Sequence, residues 1–115
     1  MRAETDADIA ILNSGTIRAN SIFGSGIIKN KFISECFPME EEIVKVKING
    51  QLVLRALENG VSLYPKYDGR FPAISGLKFK FDPSKTEGAR IITDSVILES
   101  GERIGKDKVY TLAIK

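Results

Sequence analysis

The chain has 115 residues and a mass of 12.7 kDa, enough for one domain with a buried core. Its 17 basic and 15 acidic residues leave a net charge of +2, far short of a dedicated nucleic-acid surface, so a nucleic-acid partner is excluded. Histidine is absent and cysteine occurs once, which removes the commonest general base and metal ligand, an internal disulfide and a cysteine-rich zinc site. No apolar run approaches the roughly 20 residues of a membrane span. The polar, acidic start (residues 1–6) does not read as a signal peptide.

The apolar run 9–12 predicts a buried strand. It breaks into Asn13-Ser14-Gly15, residues that favour turns and left-handed backbone, and Arg18 follows three residues after the glycine. A rigid strand ending in such a turn is a common ligand site, and arginine supplies a planar cationic fork for a phosphate, a carboxylate or a ribose edge. A turn without a ligand, its asparagine bonded to its own backbone and its arginine solvated, explains the same residues. Residues 13–25 read as a long loop, pinned to the core by Ile17, Ile22 and Phe23.

A short helix is predicted over 30–37, capped by Asn30, with Phe32, Ile33, Cys36 and Phe37 on one apolar face and Pro38 as its stop. Cys36, with no histidine to activate it, reads as a buried structural thiol. Glu40-Glu41-Glu42 reads as a solvated approach to the next strand rather than a metal site. In that strand, 43–48, Val44, Val46 and Ile48 alternate with Lys45 and Lys47.

Asn49-Gly50 turns the chain into the main helix, from Gln51 to about Leu63. Its core face is Val53, Leu54, Leu57 and Val61, with Gln51, Arg55 and Glu58 outward. Residues 64–70 form a polar, aromatic loop. Segments 73–75 and 77–81 are extended, and Gly76 between them marks a bulge or a close backbone approach. A strand is predicted over 90–98, a hairpin turn over 99–102 and a last strand over 109–114. The class is α+β, a single domain with a mixed or antiparallel sheet and about two helices.

The segment from Ala7 to Arg18, with Asn13, Gly15 and Arg18, resembles the Asn-x-Gly-Gly-x-Arg signature of the 5'-nucleotidase C-terminal domain. The likeness continues in order. Gly26-Ile27-Ile28 and Phe37-Pro38 are similar to the family's Gly-x-Ile and Pro-Phe segments. Residues 43–52 followed by Ala56-Leu57-Glu58 resemble its strand, glycine turn and Leu-Glu helix. Residues 71–82 resemble its Phe-Pro-x-x-Ser-Gly strand. In that stretch Ser75-Gly76 reads first as strand geometry.

The resemblance implies the substrate-binding domain of a metal-dependent phosphomonoester hydrolase, a fragment of a larger enzyme and inert alone. The two divalent metals and the catalytic Asp-His pair belong to an N-terminal metallophosphoesterase domain. No catalytic residue, metal ligand or cofactor is therefore expected in this chain. The ligand is a nucleotide or nucleoside. Asn13 would hydrogen-bond the nucleoside, Arg18 would hold ribose or phosphate oxygens, and Gly15 would keep the turn tight enough for amides to approach. Met39 stands where the family places a phenylalanine that stacks on the base. A thioether still contacts an aromatic ring, worth about 0.3–1.5 kcal/mol, and Met39 reads equally as a helix-end residue packed on the core.

Two departures accompany the match. Thr16 replaces the signature's second glycine, and the family's second stacking phenylalanine would follow Lys115, so at most half of an aromatic clamp is expected. A lone domain can also form a homodimer through surface its partner domain would cover. The alternative to nucleotide recognition is a structural or interaction module that keeps the fold and has lost the ligand. The family is often periplasmic or extracellular, and nothing in this chain carries an address.

Overall fold

A computed structural model describes residues 1–115. The apolar run at the start forms β1 (Ile9–Asn13), and the last strand, β6 (Val109–Ile114), lies parallel beside it, with Ile9 opposite Leu112 and Ala10 opposite Ala113. On the outer flanks β2 (Val44–Asn49) pairs antiparallel with β6, and β3 (Pro72–Ser75) pairs antiparallel with β1. The order is β2-β6-β1-β3, a mixed sheet. A second, two-stranded sheet joins β4 (Leu77–Lys78) to β5 (Ile97–Leu98). Two short helices, α1 (Arg2–Thr5) and α2 (Asn30–Cys36), and one long one, α3 (Gly50–Val61), complete the α+β domain.

Side chains alternate between the two faces of a sheet, and one face carries Ile9, Ile48, Tyr110 and Leu112. Against it α3 buries Val53, Leu54, Leu57 and Val61, as its spacing predicts, and Leu77, Val96 and Ile104 close the core from the side of the small sheet. Asn49 caps α3 by accepting the Leu52 amide at 2.9 Å. The Arg90 guanidinium donates to the carbonyls of Val61, Ser62 and Tyr64 at 2.7–2.9 Å, placing a cation at the helix end where the macrodipole favours it. On the other face of the sheet Ala7, Ala10 and Ala113 pack beneath Met1.

Asp8 fastens the parallel pair. Its carboxylate accepts the Thr111 amide at 2.8 Å and the Thr111 hydroxyl at 2.7 Å, while its own amide donates to that hydroxyl at 2.9 Å. The amide bond above all, with the hydroxyl, holds the Asp8 carboxyl below its ordinary range. Gly76 has a φ of 87°, and a Cβ there would run into the Asp8 carbonyl. The close-approach reading of Gly76 therefore holds, and the kink sends β3 and β4 into different sheets.

Several expectations need correction. Glu58 is half-buried rather than outward, and its carboxylate accepts the amides of Arg90 at 3.2 Å and Ile91 at 2.7 Å. With those amides taken, the strand expected over 90–98 shrinks to a bridge at Ile91, a 3-10 turn over Thr93–Ser95 and the two residues of β5. The following turn is the expected hairpin, closed by the Leu98 amide on the Glu102 carbonyl at 2.8 Å. No element was expected over residues 1–6. Helix α1 forms there, ends at Asp6 with a φ of 48°, and is tied to the hairpin by the Arg2–Glu99 ion pair.

The largest difference lies in residues 17–43. Ile17, Ile22 and Phe23 do not pin the loop to the core: Ile17 is 46% exposed and Ile22 wholly so, and Phe23 stacks on Phe32 of α2 with ring centroids 4.8 Å apart. Helix α2 buries no residue completely. Lys29, not Asn30, holds its N-cap position without a side-chain bond, and Cys36 is half-buried rather than buried. Val44 and Val46 are exposed although they share a face with Ile48. Strand β2 lies at the sheet edge and α3 folds back only over its far end, so the near end stays uncovered.

Candidate functional site

Because β1 and β6 run parallel, both end at the same edge of the sheet, and every ligand-binding residue expected from the sequence lies there. Asn13 is the last residue of β1, and Ser14–Thr16 coil into a 3-10 turn closed by the Ile17 amide on the Ser14 carbonyl at 3.0 Å. Thr16 is buried, and its hydroxyl donates to Asn13 Oδ1 at 2.8 Å. The residue that departs from the glycine signature thus orients the asparagine and leaves its Nδ2 protons without a protein acceptor.

The turn is clasped to the loop that precedes β3. The Ser14 amide and hydroxyl both donate to the Phe71 carbonyl, at 2.8 and 2.6 Å, and the Gly15 amide donates to the Gly69 carbonyl at 2.9 Å. Gly15 and Gly69 face each other, and a Cβ on Gly15 would stand 2.9 Å from the Gly69 Cα. This corrects the reading of Gly15: the close approach it permits is to the chain's own backbone, and its amide is already engaged.

Arg18 is held through its main chain, whose amide donates to the Cys36 carbonyl at the end of α2 at 2.8 Å. Its guanidinium is exposed and joins no ion pair or hydrogen bond within the chain. Three residues beyond Cys36 comes Met39, exposed and outside the core cluster, so the core-packing alternative for it does not hold. The Met39 carbonyl accepts Lys115 Nζ at 3.1 Å, and the same ammonium lies 3.5 Å from Glu41, which ties this segment to the end of β6. Asn13, Gly15 and Arg18 therefore share one turn, and Met39 is fastened beside it through Cys36 and Lys115.

On the opposite flank of the turn, Asp68 accepts the Arg70 amide at 3.0 Å and the Arg70 Nε at 2.9 Å, and Arg70 also donates to Ser62 at 3.2 Å. The Arg70 amide first, then its side chain, holds the Asp68 carboxyl below the usual range. These bonds fix the loop between α3 and β3. Sequence reasoning placed Gly15 and Thr16 in the turn but missed the Thr16–Asn13 hydrogen bond and Gly69 facing Gly15. Their one signal was Thr16 standing in a glycine position. No group of three His, Cys, Asp or Glu side chains stands where it could hold a metal ion. No helix is long and apolar enough to cross a membrane.

A small mixed sheet with three helices and a braced polar turn at one edge defines an α+β domain. The chain matches the model of the 5'-nucleotidase C-terminal domain over residues 1–115 and belongs to that family. Among solved structures, the 5'-nucleotidase precursor from Thermus thermophilus superposes with a TM-score of 0.88 at 31% identity, covering 98% of this chain and 22% of that one. Protein 5NUC of Lutzomyia longipalpis is 31% identical over 83% of this chain and 17% of its own length. The trifunctional nucleotide phosphoesterase protein YfkN of Bacillus subtilis is 28% identical over 93% of this chain and 7% of its own length. The chain thus spans under a quarter of each of these proteins.

Proposed function

We propose that this chain is the nucleotide-recognition domain of a 5'-nucleotidase-type phosphomonoester hydrolase and is inert by itself. The observation that carries the reading is the Arg18 guanidinium, exposed and unpaired, in the same braced turn as an asparagine with free side-chain donors. Arg18 donates to phosphate or ribose oxygens, for which its planar fork is suited. Asn13 Nδ2 donates to an acceptor on the nucleoside, and Met39 lays its thioether against the base. The hydrolysis belongs to an N-terminal metallophosphoesterase domain, whose two divalent metals polarise the phosphate and activate water when bound. This chain binds the substrate and orients it toward them.

The test is an NMR shift titration with adenosine and AMP, beside Arg18→Ala. Half of a two-domain site should bind on the order of 1 mM, about −4 kcal/mol. Saturable shifts centred on residues 13–18, weakened roughly tenfold in the variant, support the reading. Arg18 is exposed, so the variant should fold as the parent does. One observation favours a second reading, an interaction module that no longer reads nucleotides: the Thr16 hydroxyl already occupies Asn13 Oδ1. An absence of shifts at high AMP would sink the first reading and leave the second.

A further inference from the structure

We propose that the free edge of β2 docks a second copy of this chain, the two β2 strands pairing antiparallel about a two-fold axis at Val44. Of the six residues of β2 only Ile48 is half-buried, and β6 is the strand's single partner. Just beyond the Asn49–Val109 pair, the Gly50 amide donates to the Lys108 carbonyl at 3.0 Å. Antiparallel residues alternate between hydrogen-bonded and open pairs. Val44, Val46 and Ile48 therefore direct their backbone groups to β6, and Lys45 and Lys47 turn theirs to solvent. An open edge of this kind is a template for another strand.

The charges on the strand select both the register and the occupant. Setting Val46 against Val46 would place Lys45 opposite Lys47, and setting Lys45 against Lys45 has the same fault, because like charges directly opposite destabilise. With Val44 against Val44 the conflict disappears. Lys47 of each copy then lies opposite Glu41 of the other, Lys45 opposite Ile43, and Glu42 opposite Val46. Sliding the strands two residues further would face both valines with glutamates and leave Lys47 beside Met39. The register at Val44 therefore joins opposite charges on one face and the exposed valines on the other. The fold leaves the right groups free for it. Lys45 is engaged, its ammonium donating to the Thr5 and Asp6 carbonyls at 2.7 and 2.9 Å. Lys47 is exposed and joins no ion pair. Glu41 lies 3.5 Å from Lys115 with 48% of its side chain exposed, and a carboxylate has capacity for a second cation. Self-complementarity of this kind, a cation on the strand and an anion just before it, is what a two-fold interface requires. The four-stranded sheet of one copy then continues into that of the other.

Charge reversal across the seam tests the proposal by sedimentation equilibrium. A two-strand seam is smaller than the roughly 1,200 Å2 of a standard interface, so the dimer should be half-formed on the order of 0.1 mM and weaken as salt is added. Lys47→Glu and Glu41→Lys should each weaken self-association roughly tenfold, since each turns two attractive pairs repulsive. Both positions are exposed, so the variants should melt as the parent does. An equal mixture of the two variants should associate as the parent does, because every pair again joins opposite charges. Hydrogen exchange reads the edge itself. The Lys45 and Lys47 amides should gain protection with rising concentration, while those of Val44 and Val46, already bonded to β6, should not change. A chain still monomeric on the order of 1 mM would overturn the proposal. So would a dimer indifferent to both reversals, or single variants whose mixture does not recover. Asn13 and Arg18 take no part in the seam, so AMP shifts at the turn report on nucleotide recognition separately from all of these outcomes.

Discussion

Helices α2 and α3 carry the same kind of apolar stripe and meet opposite fates. Helix α3 buries Val53, Leu54, Leu57 and Val61, whereas α2 buries no residue completely and leaves Ile33 52% exposed, with Phe37 just beyond it 43% exposed. The cause is in the chain before each helix. Strand β2 hands over directly to α3 through the Asn49 cap, so the helix folds back onto the sheet its own strand belongs to. Helix α2 is entered and left through irregular chain, has no side-chain cap, and at 7 residues is too short to be stable alone. It is held by the Phe23–Phe32 contact and by the Cys36 carbonyl on the Arg18 amide. An apolar stripe therefore predicts a helix, and the neighbouring strand decides what the stripe faces.

The contrast breaks most visibly at Leu57. Leu57→Ala, in a fully buried position, should cost about 2–5 kcal/mol in chemical denaturation. A loss below about 1 kcal/mol would mean that α3 is not what the sheet folds against. A smaller effect sharpens the core side of the comparison through the Asp8–Thr111 clasp. The folded Asp8 carboxyl titrates below its unfolded value of about 3.9. Its contribution is therefore present above that value and is lost as pH falls through the lower folded one. Because Asp8 is exposed, the contribution should be under about 1 kcal/mol. Thermal melts of the parent and Asp8→Asn should converge between pH 5 and about pH 2, and a constant gap would show that the carboxylate's charge adds nothing. The smallest change is expected on α2. Ile33→Ala should shift stability by less than about 0.5 kcal/mol, and a loss like that of Leu57→Ala would place α2 against a core in solution.

What could be read from the sequence was whatever depends on neighbours in the chain. Residues 9–12 declared β1, the Val53-Leu54-Leu57-Val61 spacing declared the buried face of α3, and Gly76 marked the close approach to Asp8. The turn from Asn13 to Arg18 was visible as a break after an apolar run. What escaped depends on partners far along the chain. Glu58 has the spacing of an outward residue, yet it accepts amides more than 30 positions away and dissolves the strand expected around them. Nothing local to Gly15 announces Gly69 across from it, or that the Gly15 amide is consumed there. Ile17, Ile22 and Phe23 looked like anchors because of their type, whereas exposure is set by what surrounds a side chain.

The pairing of β1 with β6 has a consequence for synthesis. Asp8 and Thr111 are separated by 103 positions, and β6 is the only neighbour of β2 and sits between β2 and β1 in the main sheet. A chain leaving the ribosome exposes its first strand, and then β2 and α3, before the strand that joins them exists. The sheet therefore closes only when translation of this domain is finished. Such long-range closure is the slow kind, and until it happens the earlier strands have unpaired edges.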